Sequence, residues 1–357
     1  MSDINETEVE DEVEREDEPV PFKYSITSYG ADYPIDGLVK RLGKGSIFIP
    51  GFQRGFVWNI KEASRFIESL LLGLPVPGIF LAKEQDTEKL LVIDGQQRLR
   101  TLQGFYKGVF PGDSKRVFSL RGVQKEYEGC TYDSLSEENQ RLLDDTILHA
   151  TIVKQEEPSE DNSSIYHIFE RLNTGGVQLQ PQEIRACIFH GEFSDLLKKL
   201  NKNKSWREVY GPVSKNMKDI ELILRFFSLY FKVGQYKKPM KEFLNVFMGK
   251  NRHLKIQREE QLTKLFEGTI GVVNSCLGSN AFRPNRVWKA AVFDAVMVGI
   301  ATRLEKGAIE NSNSVLRQYQ KLLEDVNFLS ACDSATTDEE NVNRRINLAT
   351  QTFSGAK

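Results

Sequence analysis

The chain has 357 residues, of which 40% are hydrophobic and 10% aromatic, and its formal net charge is −2 at pH 7. This length exceeds one ordinary domain and the apolar content is enough for a sizeable core, so we expect two packed units. No run of about 18 apolar residues is present, which argues against a membrane-spanning helix. The N-terminus is acidic, whereas a secretory signal begins with basic and then apolar residues. The expected location is the cytoplasm.

Charge is distributed unevenly along the sequence. Residues 1–20 contain ten acidic residues and one basic residue, Arg15, whereas the rest of the chain contains 47 basic and 40 acidic residues. A polar, acidic segment of this kind cannot bury enough apolar surface to fold, so we predict a disordered tail over residues 1–22. The remaining chain carries a charge of about +7 and suits an anionic partner such as DNA. Plain solubility is the alternative role of the tail.

The cysteine and histidine residues indicate neither a disulfide framework nor a metal site. The cysteines are far apart and show no C-x-x-C spacing: Cys130, Cys187, Cys276 and Cys332. Cys187 and His190 could share a metal ion, but no second pair completes the four ligands that zinc usually takes. The histidines at 149, 167 and 253 stand singly, so we cannot assemble a His-metal nuclease site. We therefore predict no metal-ligating residues.

The first third of the sequence predicts alternating helices and strands. Apolar spacing predicts helices over residues 35–42 and 59–72, the second with Asn59 as its N-cap. Short apolar runs predict strands at Ile47-Phe48-Ile49, Ile79-Phe80-Leu81 and Leu90-Leu91-Val92-Ile93.

Helical patterns dominate the rest of the sequence. We predict a helix from Leu99 to Tyr106, a short sheet-like insertion over residues 118–132, a helix over residues 136–148, and helices over nearly everything after Ser159. The predicted class is α+β. A domain with a small mixed sheet and helices covers residues 23–125, and a mainly helical domain covers residues 126–357.

The five residues Asp94-Gly95-Gln96-Gln97-Arg98 stand between a predicted strand and a predicted helix. Gly95 can adopt backbone angles closed to other residues and supplies the turn. Gln96, Gln97 and Arg98 then fall in the first helical turn, where free backbone N–H groups and the helix dipole favour an anion. The Arg98 guanidinium group suits phosphate. The alternative is that Asp94 only caps the helix and Arg98 lies in solvent.

A second polar pair, Gln53-Arg54, lies among aromatic and turn residues between Ile49 and Trp58. This pair and the Asp94–Arg98 motif each follow a short apolar strand. Neighbouring strands of a small sheet would bring the two segments to one edge, so we predict that Arg54 and Arg98 line one cleft. The alternative is that Gln53-Arg54 only packs in its loop.

Several motifs occur in the order found in one family. They are the two segments above, the turn Gly73-Leu74-Pro75-Val76-Pro77, residues 169–176 and residues 285–294. They resemble the GmrSD-type restriction endonuclease N-terminal domain, a ParB-like family catalogued as domain of unknown function 262. In the larger restriction proteins of this family a separate His-Asn-His nuclease domain follows. We find no sign of that domain in this sequence.

The resemblance implies a ParB/sulfiredoxin-like N-terminal domain that binds a nucleoside triphosphate (NTP), with Mg²⁺ as the accompanying metal ion. It implies catalytic roles for Asp94 in metal or water activation, for Gln97 in orientation and for Arg98 on phosphate charge. The implied nucleotide contacts are Gln53, Arg54, Gly95, Gln96, Arg98, Asn173 and Thr174. Helix capping is the alternative role of the loop Asn173-Thr174-Gly175-Gly176.

Three functions remain open at this point. The first is an NTP hydrolase or sensor in a restriction or anti-phage defence system that acts on foreign or modified DNA. The second is a DNA-binding protein that nicks DNA directly, as a ParB-like nuclease would. The third is a non-catalytic DNA-recognition partner of a separate nuclease subunit. A second copy of the chain is a further candidate partner, and the base of the nucleotide is undetermined.

Overall fold

The structure, a computed structural model, describes residues 7, 9–10, 25–50, 55–84, 86–113, 115–157, 163–172 and 179–357. The chain divides into two compact units. One is Phe22–Gln178, and the other is Leu179–Lys357 together with the N-terminal Met1–Pro21. The first unit contains a small mixed sheet with helices, and the second is mainly helical. The predicted α+β class and the order of its two parts are confirmed.

The strands of the described residues are β1 (Val9–Glu10), β2 (Ser25–Pro34), β3 (Ile47–Phe48), β4 (Ile79–Lys83), β5 (Leu90–Asp94), β6 (Ile147–Glu157) and β7 (Trp288–Lys289). The α-helices are α1 (Ile35–Gly43), α2 (Ile60–Leu71), α3 (Gln96–Tyr106), α4 (Glu137–Asp145), α5 (Ser163–Leu172), α6 (Pro181–Ile188), α7 (Glu192–Leu200), α8 (Lys204–Tyr210), α9 (Lys218–Lys232), α10 (Met240–Asn251), α11 (Glu259–Leu277), α12 (Ala290–Leu304), α13 (Ser312–Glu324), α14 (Val326–Asp333) and α15 (Glu339–Phe353).

The sheet of the first unit has the strand order β2-β6-β4-β5-β3. The neighbouring pairs β2–β6 and β4–β5 are antiparallel, whereas β4–β6 and β3–β5 are parallel. Apolar residues of α1 to α4 and of the strands form one core, which includes Leu38, Ile67, Leu81, Val92 and Leu102. The predicted strands near residues 47, 79 and 90 therefore belong to one sheet.

The strand β6 corrects two predictions. The predicted helix over residues 136–148 ends at Asp145, and residues 147–157 form a strand that pairs with β2 and β4. Since β6 is part of the sheet, the first unit extends to Gln178 and not to the predicted boundary at residue 125. Residues 118–132 form turns and no strand, so the predicted sheet-like insertion is wrong as well.

The N-terminus of α2 confirms a local prediction. The Asn59 side chain accepts hydrogen bonds from the backbone N–H groups of Lys61 and Glu62. The Glu62 carboxylate accepts from the Asn59 backbone N–H at 2.8 Å, which completes a capping box. This box fixes the direction in which the chain leaves the loop that ends at Trp58.

The helical unit is arranged around α12. Residues 290–301 are all buried, and this helix packs against α9, α11 and α15. A helix that is apolar on all sides belongs in the centre of a helical core. No helix within the described residues combines the length and apolar character needed to cross a membrane.

Part of the acidic N-terminal segment is ordered against this helical unit. Val9 and Glu10 pair in parallel with Trp288 and Lys289, and the Thr7 hydroxyl donates to the Tyr210 carbonyl at 2.9 Å. The predicted disorder of residues 1–22 is therefore wrong at these three positions. The other residues of that segment lie outside the described residues.

Candidate functional site

The start of α3 has the strand–turn–helix geometry that the sequence predicts. Gly95 precedes the helix with φ 96° and ψ 9°, a left-handed conformation that favours glycine. A β-carbon at this position would lie 2.3 Å from Cγ2 of Ile79. Glycine is required here both by backbone angle and by space. Because the N-cap residue is Gly95, no side-chain hydrogen bond from this position caps the helix.

Arg98 connects α3 to the residues just before β4 and to the last residue of β5. Its Nη1 donates to the carbonyl oxygens of Pro77 and Gly78, both at 2.6 Å. Its Nη2 donates to Oδ2 of Asp94 at 2.8 Å. The Arg98 side chain is 14% exposed, whereas that of Asp94 is 49% exposed. We call Arg98 and its three acceptors the Arg98 clamp.

The Arg98 clamp contradicts the simpler of the two roles that the sequence allowed for Asp94 and Arg98. Asp94 does not cap α3 but accepts from Arg98, and Arg98 does not lie in solvent. A guanidinium group has five N–H donors, and three of them are used in the clamp. The role of Arg98 on phosphate remains a prediction.

Gln97 holds the loop that follows the Gln53-Arg54 pair. Its Oε1 accepts from the backbone N–H of Val57 at 3.0 Å and of Trp58 at 3.4 Å. Its Nε2 donates to the Gly55 carbonyl at 3.4 Å. The first turn of α3 and the loop of residues 55–58 are thus joined by one side chain.

Aromatic contacts fix the same loop from two further sides. The ring of Phe56 packs edge-on against Phe110 with centroids 5.4 Å apart, and Trp58 packs against Phe66 with centroids 5.7 Å apart. Edge-to-face pairs of this kind favour a defined ring orientation. The loop therefore has a fixed place beside α3.

Four of the predicted nucleotide contacts lie outside the described residues: Gln53, Arg54, Asn173 and Thr174. The prediction that Arg54 and Arg98 line one cleft is untested for this reason. Of the remaining predicted site residues, Gln96 is partly buried in the first turn of α3. Helix α5, which ends at Leu172, packs against β5 and β6 of the same unit.

Sequence reasoning missed a pair of titratable residues at the end of the sheet where the Arg98 clamp lies. Asp32 in β2 and His149 in β6 are 117 residues apart in sequence, and Asp32 Oδ1 contacts Nδ1 of His149. No local motif could connect two positions so far apart. The alternation of exposed His149 with buried Leu148 and Ala150 was the signal for the strand itself.

Within the described ranges, no group of three or more His, Cys, Asp or Glu residues could hold a metal ion. Cys187 lies fully buried in α6, and burial raises the pKa of its thiol. His190 has protein partners at both ring nitrogens, the Cys187 carbonyl oxygen and the Arg252 guanidinium. A Mg²⁺ ion bound mainly through nucleotide phosphates and water needs only one or two carboxylates, and the half-exposed Asp94 fits that requirement.

Most of this unit matches a known protein family. Residues 35–190 match the family model of the GmrSD restriction endonuclease, N-terminal domain. The match confirms the resemblance over a little less than half of the chain, including the whole Asp94–Arg98 motif. It identifies this part of the chain as a restriction-related module. The resembling residues 285–294 lie outside the matched range.

One curated relative matches a shorter stretch. An uncharacterized protein of Methanocaldococcus jannaschii is 32% identical over 114 residues, which correspond to 25% of this chain and 18% of the relative. The match therefore spans less than a fifth of that relative's length.

Proposed function

We propose that the first unit binds the phosphates of an NTP at the start of α3, and that the protein is a nucleotide-responsive module of a restriction system acting on foreign or modified DNA. The observation that carries this proposal is the contact of Gln97 with the backbone of Gly55, Val57 and Trp58. It joins the Asp94–Arg98 motif to the loop of residues 55–58, which follows the Gln53-Arg54 pair in sequence.

The start of α3 offers the interactions that a phosphate group needs. A helix N-terminus presents backbone N–H groups and the positive end of the helix dipole, and the N-cap residue Gly95 has no side chain that could cap α3. Two N–H donors of Arg98 remain beyond the three used in the clamp. Gly95 carries no side chain that would block the approach of a ligand to the backbone.

Each predicted residue has a specific place in the proposal. Arg98 and Arg54 balance phosphate charge, and Gly95 and Gln96 supply backbone donors. Gln53 and Gln97 orient the nucleotide or water, and Asp94 contacts the hydration shell of Mg²⁺. Asn173 and Thr174 are the further nucleotide contacts. Hydrolysis of the NTP is part of the proposal.

DNA is the proposed macromolecular partner. The chain beyond residue 20 carries a charge of about +7, which favours a polyanion through counterion release. A separate nuclease subunit would act on the DNA that this module recognises. Assembly of two copies of the chain is compatible with the same scheme.

Nucleotide-induced thermal stabilisation tests the proposal, because a ligand that binds only the folded state must raise the melting temperature. The four common NTPs are added with Mg²⁺ to the wild-type chain, to Arg98→Ala and to Arg283→Ala. Arg283 is a matched control, since it also donates to backbone carbonyls, those of Val209 and Tyr210 in the helical unit.

The expected result is stabilisation of the wild type and of Arg283→Ala by at least one NTP. We expect Arg98→Ala to lose about 2–4 kcal/mol of binding free energy in calorimetry, because a charge-assisted hydrogen bond is removed. Absence of stabilisation by any NTP, at concentrations up to several millimolar, would contradict the proposal.

A further inference from the structure

Asp32 and His149 form a pair whose presence the fold does not explain. They are direct cross-strand partners in β2 and β6, and their side chains contact each other through Oδ1 and Nδ1. The His149 side chain is 77% exposed and that of Asp32 is 58% exposed. Ion pairs with this exposure add little to the free energy of unfolding. A role outside folding is therefore worth considering.

Gly78 links this pair to the Arg98 clamp. Its carbonyl oxygen accepts from Arg98 Nη1, and a β-carbon added to it would lie 2.8 Å from the His149 carbonyl oxygen. The residues that follow, Ile79 and Ala150, are paired in the parallel strands β4 and β6. Adjacent strands lie about 5 Å apart. The backbone of His149 is thus one strand away from a carbonyl that Arg98 holds.

The contact with Asp32 bears on which ring nitrogen of His149 donates a hydrogen bond. A carboxylate beside Nδ1 favours the tautomer in which Nδ1 carries the proton and Nε2 carries the lone pair. No described residue forms a hydrogen bond with Nε2 of His149. A histidine oriented by a carboxylate in this way is the general base of many hydrolases. The imidazole ring of His149 is exposed to solvent and therefore to water.

We infer that His149 is the general base for hydrolysis of the NTP and that Asp32 is its positioning residue; this inference rests on the proposed function. His149 Nε2 accepts one proton from a water molecule as the water oxygen forms a bond to the γ-phosphorus. The bond from the γ-phosphorus to the bridging oxygen breaks, and its electron pair stays on the nucleoside diphosphate. The proton on His149 then passes to solvent.

The experiment measures binding and hydrolysis separately in the full chain. Wild type, His149→Ala and Asp32→Asn are compared for NTP-induced stabilisation and for release of inorganic phosphate with Mg²⁺. His253→Ala is the matched control, because His253 Nδ1 contacts the carboxylate oxygen Oε2 of Glu192 at 3.0 Å in another solvent-exposed pair, which lies in the helical unit. Free imidazole is added to each protein in a parallel series.

We expect His149→Ala to lower the rate of phosphate release about 100-fold or more, the usual contribution of a general base. The NTP-induced stabilisation should be unchanged. Imidazole should restore part of the rate to His149→Ala and none to Asp32→Asn, which keeps its own imidazole ring in a less productive orientation. His253→Ala should match the wild type in both assays.

Each other outcome overturns the inference in a recognisable way. Unchanged phosphate release by His149→Ala, or NTP binding without hydrolysis by the wild type, removes the general-base role and leaves the nucleotide site in place. A rate loss without imidazole rescue, accompanied by a lower melting temperature, assigns His149 to structure. Absence of any NTP-induced stabilisation in the wild type removes the inference together with the proposed function.

Discussion

Two arginine–carboxylate networks, one in each unit, differ in their access to solvent. Asp94 in the Arg98 clamp is half-exposed, and the guanidinium group shares its N–H donors between this carboxylate and two carbonyls. Asp294 in α12 is fully buried between Arg225 of α9 and Arg345 of α15. The first network joins residues 77–78 to the Asp94–Arg98 motif, and the second joins three helices. Only the first could accept a ligand without opening the core.

The difference teaches what each network can do. A buried carboxylate between two guanidinium groups has exchanged its water shell for charge-assisted hydrogen bonds. Removing one of these groups leaves its partner buried and unpaired, which costs much free energy of folding. A half-exposed carboxylate keeps water on one side and can exchange that water for a metal ion or a substrate. We therefore assign the Asp294 network to stability and the Arg98 clamp to the candidate site.

Replacement of Asp294 should have the largest effect on stability. Asp294→Asn keeps the volume but removes the negative charge that Arg225 and Arg345 both contact, and breaking a buried ion pair in this way costs about 3–5 kcal/mol. The free energy of unfolding from urea titration checks this expectation. Asp195→Asn is the control, because its partner is Lys198 and its side chain is 72% exposed. A similar loss in both variants would contradict the assignment.

Glu221, a buried carboxylate of the helical unit, should make the free energy of unfolding depend on pH. Burial opposes ionisation of its carboxyl, but Lys218 and Arg185 outweigh burial and lower its pKa to about 2 from the ordinary 4.5. The folded state therefore binds the proton more weakly than the unfolded state. The stabilisation is fully present above pH 4.5 and is lost as the pH falls towards 2. The shift corresponds to a few kcal/mol at most.

Urea unfolding of the wild type and of Glu221→Gln between pH 2 and pH 7 measures this contribution. Glutamine keeps the size of the side chain but cannot ionise, and it has one acceptor oxygen where Glu221 accepts from both Arg185 and Lys218, so the variant should be less stable than the wild type at pH 7. The difference between the two proteins should shrink as the pH falls from 4.5 to 2. Parallel stability curves over this window would show that the ion pairs of Glu221 contribute nothing net.

Local signals explain which parts of the fold the sequence predicted. The apolar run before Asp94, the glycine after it and the helical spacing from Leu99 lie within 17 residues, and the cap at Asn59 lies within the four residues from Asn59 to Glu62. Interactions inside such a short stretch leave a readable pattern because they form between neighbours in sequence. The strand–turn–helix and the start of α2 were correct for this reason.

Contacts between distant segments explain what the sequence did not predict. The acceptors of Arg98 at residues 77 and 78 are backbone carbonyls, which every residue carries, so no side-chain pattern could mark them. His149 meets Asp32 only because β6 pairs with β2. β6 itself was missed because the helical pattern of residues 136–145 runs directly into it, with a single residue, Thr146, between α4 and the strand.

Among Asp294→Asn, Glu221→Gln and Arg98→Lys, the last should change the free energy of unfolding least. A lysine ammonium group cannot reach two carbonyls and a carboxylate in the geometry of the guanidinium fork, so we expect a loss of about 1–3 kcal/mol from unsatisfied acceptors. Solvent lowers the cost, because Asp94 is half-exposed and water can replace its lost hydrogen bond. Arg283→Lys provides the same substitution among carbonyl acceptors in the helical unit.

The two variants separate the structural part of the clamp from its part in binding. Both should lower the free energy of unfolding by similar amounts, because each loses hydrogen bonds to backbone carbonyls. Only Arg98→Lys should also weaken NTP binding, as measured by calorimetry well below both melting temperatures. If Arg98→Lys loses stability but binds the NTP as the wild type does, then Arg98 acts as a clamp alone. The phosphate charge must in that case be met by the backbone of α3 and by Arg54.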